Sequence, residues 1–141
     1  RATAAQLAST GGQPAIVLDV AHNPQAVGVL AENLSNMGYY PETWAVVGML
    51  ADKAVEAALE RIAGRVDHWL PASLPGPRGL SAEALAKRMA SIGLAVGEAR
   101  FESPADAYRA ARARAQDSDR IVVFGSFLTV ADAMAAIHAE R

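Results

Sequence analysis

Residues 17–27, VLDVAHNPQAV, place a carboxylate, an imidazole and an amide within five positions, where one apolar run gives way to another. Asp19 ends a run of branched aliphatic residues, so its carboxylate must reach solvent, a backbone donor or a ligand donor to offset its desolvation. A carboxylate accepts both hydroxyls of a vicinal diol, which makes ribose a natural ligand and phosphate a repelled one. The alternative is local: Asp19 caps neighbouring amides and His22 is a surface residue. His22 carries an imidazole able to steady a nucleotide or an adjacent loop. Asn23 and Pro24 need no ligand, because Asn caps helices well and Pro suits the first helical position.

Two other stretches have the same strand-to-helix character. In GMLADK (48–53) Asp52 reads as a helix cap and Lys53 falls in the first turn, where a cation opposes the helix dipole by up to ~1 kcal/mol. Lys53 either neutralises a phosphate or acyl phosphate or is a solvated surface residue. In GSFLT (125–129) Ser126 offers a hydroxyl and free amides to a carboxylate or phosphate, or simply caps the helix that follows. Arg78, in the loop GPRG, is a cation open to the same two readings. The sequence has no G-x-x-x-x-G-K-[ST] loop, G-x-G-x-x-G turn, G-x-S-x-G elbow or H-x-x-x-H pair. Without a phosphate cradle the chain cannot by itself hold and activate a triphosphate well. His22, His68 and His138 are too dispersed for a His-rich metal site, and no metal ligands are expected.

The elements that must position these groups alternate between strand-like and helix-like runs. The pattern predicts strands at AIVLDV (15–20), TWAVVGML (43–50), RVDHWLPA (65–72) and RIVVFGS (120–126), with a short edge strand from LAV or ARF. Helical spacing puts Val27, Leu30, Leu34 and Met37 on one face, then Val55, Leu59 and Ile62 from about Asp52, then Leu85, Met89 and Ile92 after a Ser81 cap. Residues 103–116 open with Ser and Pro as cap and first helical residue, and a final helix shows Val130, Met134 and Ile137. This alternation predicts an α/β fold: a Rossmann-like three-layer sandwich with a mainly parallel sheet of five to six strands and helices on both faces. In such sheets ligands bind beyond the carboxyl ends of the strands, which selects the three junctions above. Residues 1–14 read as a linker or added edge strand and 15–141 as the domain proper.

Composition bounds the rest. The 141 residues suit one domain, and 52% apolar with 20% charged side chains is ordinary for a globular chain. Thirteen basic against fifteen acidic residues, with no long block of like charge, argue against a nucleic-acid partner. The absence of Cys excludes disulfides and thiolate chemistry. No secretory leader and no apolar run near the ~18 residues of a membrane span stand out, so the expected location is the cytoplasm. The chain begins at Arg1 without Met, and a longer parent protein is expected.

LDVAHNPQAV resembles the D-x-A-H-N-P signature that opens the C-terminal domain of folylpolyglutamate synthases, relatives of the Mur ligases. The resemblance continues in order through VVGMLADK, GPRG and VVFGSFLTVADAM, covers the chain from about Ala15 onward, and is nearest to the bifunctional dihydrofolate synthase/folylpolyglutamate synthases. It implies an ATP-dependent ligase. The carboxylate of dihydropteroate, or of a folate γ-glutamyl group, becomes an acyl phosphate that the amine of L-glutamate attacks. It further implies that the phosphate loop, the Mg2+ ligands and most of the pterin site belong to an N-terminal P-loop domain outside this chain, which is the partner of this lobe in a monomeric enzyme. On this resemblance Asp19 and His22 contact ATP, His22 and Lys53 act at the catalytic centre, and Ser126 binds glutamate. Arg1 corresponds to an ATP-contacting Arg, although RATAAQ lacks the Phe that normally follows. Where the family reads D-K-D this chain has Ala54 in the third place. The fragment alone is expected to be inactive. The competing readings are a stand-alone nucleotide-binding or regulatory α/β module, and a scaffold domain in which Asp19 and His22 merely shape a loop.

Overall fold

Residues 12–140 are described by the structure, a computed structural model. Arg1, and the stretch 1–14 apart from its last three residues, lie outside them. Four runs with no exposed residue form the strands: β1 (Ala15–Leu18), β2 (Thr43–Val47), β3 (His68–Pro71) and β4 (Arg120–Phe124). All pair in parallel in the order β1-β4-β2-β3. Parallel strands are covered on both faces, which is why their sequences are near-continuous apolar runs rather than alternating ones. One row of the register, Val17, Val122, Ala45 and Trp69, faces one core, and the next row, Leu18, Val123, Val46 and Leu70, faces the other.

The first core is closed by α1 (Pro24–Ser35), α2 (Val55–Ile62) and α3 (Ala82–Ser91). Leu30, Leu34, Leu59, Leu85 and Met89 there are fully buried, each contributing about 1.5–3 kcal/mol. The second is closed by α4 (Pro104–Arg114) and α5 (Phe127–Ala139) through Tyr108, Ala111, Val130, Ala133 and Ile137. The three-layer α/β sandwich is therefore present, with four strands among the described residues where five to six were expected. The ARF segment supplies only a bridge: Phe101 donates to the Pro71 carbonyl at 3.1 Å and accepts from the Ser73 amide at 2.9 Å, beside β3. Leu94 and Val96 pack against the first core from a loop instead of forming a strand. A 3-10 turn at Ala63–Arg65 shortens the third strand from its expected start.

Asn23, Ser81, Ser103 and Ser126 each cap a helix, accepting the amide three residues on at 2.8–3.1 Å. Asp52 does not cap a helix. Its Oδ1 accepts the Ala54 amide at 2.7 Å in a turn, and α2 starts only at Val55. Among the described residues no helix is long and apolar enough to cross a membrane.

Candidate functional site at the carboxyl edge of the sheet

The three expected junctions meet. Residues after β1, β2 and β4, with one residue of the 73–79 loop, line a cleft of about 380 Å3 that includes His22, Asn23, Asp52, Arg78, Ser126 and Phe127. Parallel strands put all their carboxyl ends, and the N-termini of the helices that follow, on the same edge. The junctions are also bonded to one another. The Gly125 amide donates to the Ala21 carbonyl at 3.0 Å, joining the first to the third, and Thr129 Oγ1 donates to the Gly48 carbonyl at 2.7 Å, joining the third to the second. Gly125 has φ +124°, and a Cβ there would run into the Gly48 carbonyl oxygen. Only glycine lets β2 and β4 approach this closely before α5 begins.

Asp19 is buried at 2% exposure and is not part of the cleft lining. Its Oδ1 accepts the Ala21 amide at 2.9 Å, so the carboxylate steadies the residue that receives Gly125. Its Oδ2 has no partner among the described residues. Burial pushes the Asp19 carboxyl above its ordinary value, and the Ala21 amide only partly counters that. An unpaired buried carboxylate oxygen is costly to a fold and suits a hydroxyl donor such as a ribose diol.

His22 is exposed at the rim, with Nδ1 3.4 Å from the Val20 carbonyl. A carbonyl can only accept, so this contact is a hydrogen bond only when Nδ1 carries the proton, the tautomer in which Nε2 is an acceptor. Ser126 is wired in a fixed direction. The Thr129 hydroxyl gives its proton to Gly48, so the 3.0 Å contact between the two hydroxyls must be donated by Ser126, while Ser126 Oγ accepts the Thr129 amide. Ser126 is thus a cap and a link in a chain of bonds as well as a cleft residue.

Lys53 is exposed and outside the cleft lining. Arg78 is the guanidinium that lines it, and no side-chain partner holds it among the described residues. Its backbone is fixed: the Arg78 carbonyl accepts the Ala51 amide at 2.7 Å and the Leu80 amide donates to the Met49 carbonyl at 3.0 Å. Gly79 between them has no room for a Cβ against the Leu74 and Pro75 carbonyls. The GPRG motif was readable as a loop; that it folds back onto the end of β2 was not. Thr129 was also missed, although Ser and Thr three apart at a helix start signal paired hydroxyls. Among the described residues no group of three or more His, Asp or Glu could hold a metal ion.

The family described as Mur ligase, glutamate ligase domain, matches residues 5–127. The chain belongs to this family. Its curated relatives include the dihydrofolate synthase/folylpolyglutamate synthase of Escherichia coli K12, 39% identical over 128 residues, covering 91% of this chain and 29% of the relative. The enzyme of that name from Haemophilus influenzae is 34% identical, covering 88% and 29%. Among solved structures, E. coli FolC in complex with ADP superposes with TM-score 0.84 at 36% identity, covering 97% of this chain and 32% of that one. A bifunctional folylpolyglutamate synthase/dihydrofolate synthase with Mn, AMPPNP and L-glutamate bound gives TM-score 0.80 at 40% identity, covering 98% and 32%. The chain therefore spans about 29% of the length of the curated relatives it matches. As a Mur-type glutamate ligase domain it carries the cleft at the sheet edge where α/β folds take their ligands.

Proposed function

We propose that this chain is the nucleotide- and glutamate-side lobe of an ATP-dependent ligase that adds L-glutamate to dihydropteroate and to folates through an acyl phosphate. The observation that supports this most is the convergence of three strand-to-helix junctions on one cleft carrying His22, Arg78 and Ser126, with the unpaired Asp19 oxygen behind it. Its partner would be an N-terminal P-loop domain of the same longer chain, which would hold Mg2+ and the pterin. The relatives with ADP, or with AMPPNP, Mn and L-glutamate, carry substrates of this class. The enzyme would work as a monomer in the cytoplasm.

On this reading Asp19 accepts the ribose hydroxyls, and Arg78 with the α5 N-terminus receives anionic oxygens from phosphate or glutamate. The Nε2 of His22 would take a proton from the glutamate ammonium, freeing the amine whose lone pair then attacks the acyl phosphate carbon and displaces phosphate. Lys53 would serve as a second cation only once the partner domain closes on the exposed turn that carries it. Arg1 would add an ATP contact from the domain boundary. Closure over the cleft would exclude water from a hydrolysable acyl phosphate, which gives a lobe with few chemical groups its importance.

The test uses the longer protein that contains this chain, with ADP release followed in the presence of dihydropteroate or a folate and L-glutamate. Release should require both the acceptor and glutamate; release that needs neither overturns the ligase assignment. Asp19→Ala should raise KM for ATP by about tenfold or more, the effect of losing ~1.4 kcal/mol of ribose contacts, and an unchanged KM removes Asp19 from the nucleotide site.

A further inference from the structure

A second crevice, of about 340 Å3, opens at the opposite edge of the sheet, between the end of α1 and the starts of β2 and β4. Its volume is in the range of small-molecule sites. Arg120 reaches into it from the first position of β4 and is only 6% exposed. Its Nε donates to Thr43 Oγ1 at 2.7 Å, its Nη1 to the Leu34 carbonyl at 2.7 Å, and the Tyr40 ring lies over its plane at 4.9 Å.

The Leu34 bond has a structural purpose, since α1 has no basic residue in its last turn and Arg120 supplies the missing charge there. That purpose does not complete the group. Nη2 has no acceptor, and no carboxylate comes within ion-pair distance of Arg120 among the described residues. Buried guanidinium groups ordinarily find an anion; here burial pushes the group below its ordinary value, and Asp67, beyond ion-pair distance, only partly counters that.

Two more charged groups line the crevice. Arg65 donates through Nε to Ser35 Oγ at 2.8 Å and has no ion pair among the described residues. Asp67 accepts the Thr43 amide at 2.8 Å. Two guanidinium groups and one carboxylate leave a net charge of +1. A monoanion balances that charge; a phosphate dianion overshoots it beside Asp67.

We propose that this crevice is a binding site for a small carboxylate, whose oxygens meet Arg120 Nη2 and the Arg65 guanidinium beneath the Tyr40 ring. This site is separate from the cleft and does not depend on the ligase assignment. Occupied, it would tie the end of α1 to the starts of β2 and β4.

The test titrates the 15N-labelled chain with acetate, and separately with inorganic phosphate, following the Arg Nε–H signals and the backbone amides of residues 38–43. Acetate should shift these saturably at millimolar concentration and phosphate more weakly. Arg65→Ala should weaken acetate by about tenfold or more, the loss of one charge-assisted bond. Arg65 is exposed and its side-chain hydrogen bond among the described residues is to the Ser35 hydroxyl, so this variant keeps the fold that Arg120→Met, which also removes the α1 cap, could disturb. Shifts that fail to saturate, equal affinity in Arg65→Ala, tighter binding of phosphate, or changes confined to the His22 and Ser126 cleft would each overturn the site.

Discussion

Asp119 and Asp19 stand at opposite ends of the same sheet, each almost fully buried, at 1% and 2% exposure, and each with one carboxylate oxygen unpartnered among the described residues. They differ in what the other oxygen does. Asp119 Oδ2 accepts from the Gln116 amide at 2.8 Å and from Trp44 Nε1 at 3.2 Å, while its carbonyl accepts the Ala15 amide at 3.1 Å. It therefore joins β1, β2 and the entry to β4. Asp19 Oδ1 holds one amide two residues away. A carboxylate that ties the turn before β4 to the Trp44 side chain of β2 explains its own burial through stability. One that makes a single local bond does not, and on the proposed reading a ribose at the sheet's carboxyl edge supplies the other reason.

The comparison breaks first at Gly125. Replacing it by Ala should cost about 3 kcal/mol or more in a denaturant titration, because a side chain meets the Gly48 carbonyl at a left-handed φ. Stability within ~0.5 kcal/mol of wild type would mean that the cleft edge is soft. Asp119→Ala comes next, at about 2 kcal/mol, with two donors left behind.

Asp19 should behave differently. Its folded-state pKa lies above the unfolded value, so its favourable contribution is complete below pH 3.8 and is lost as pH rises through the raised value. Asp19→Asn should flatten that pH-dependent decline between acid and neutral solution. Parallel stability curves for wild type and Asp19→Asn would contradict the contrast. Lys53→Ala, on an exposed turn, should change stability by less than ~0.5 kcal/mol.

Much of the fold was legible because burial on both faces leaves little choice of residue: IVL, WAVV and IVVF can be little else than inner strands. The caps at Asn23, Ser81, Ser103 and Ser126 were legible because capping is local, within three residues. Non-local features were hidden. The loop carrying Arg78 is placed by bonds to the end of β2 some thirty residues earlier, so its position in the cleft has no signature in GPRG itself. Arg120 is simply the first residue of the predicted strand RIVVFGS, and only the packing of α1 and Tyr40 around it reveals burial. The edge strand failed for a backbone reason: Pro71 has no amide to donate, and Phe101 finds only its carbonyl and the Ser73 amide.

The bonded hydroxyls of Ser126 and Thr129 impose a polarity on what can enter the cleft there. Proton direction runs one way, from the Thr129 amide through Ser126 and Thr129 to the Gly48 carbonyl, so the Ser126 oxygen presents a lone pair and no hydrogen outward. A visiting carboxylate finds nothing to accept from that hydroxyl and must turn to the main-chain amides beginning α5. An ammonium finds an acceptor already held still. An amino acid bound against this corner is thereby told which of its two ends goes where.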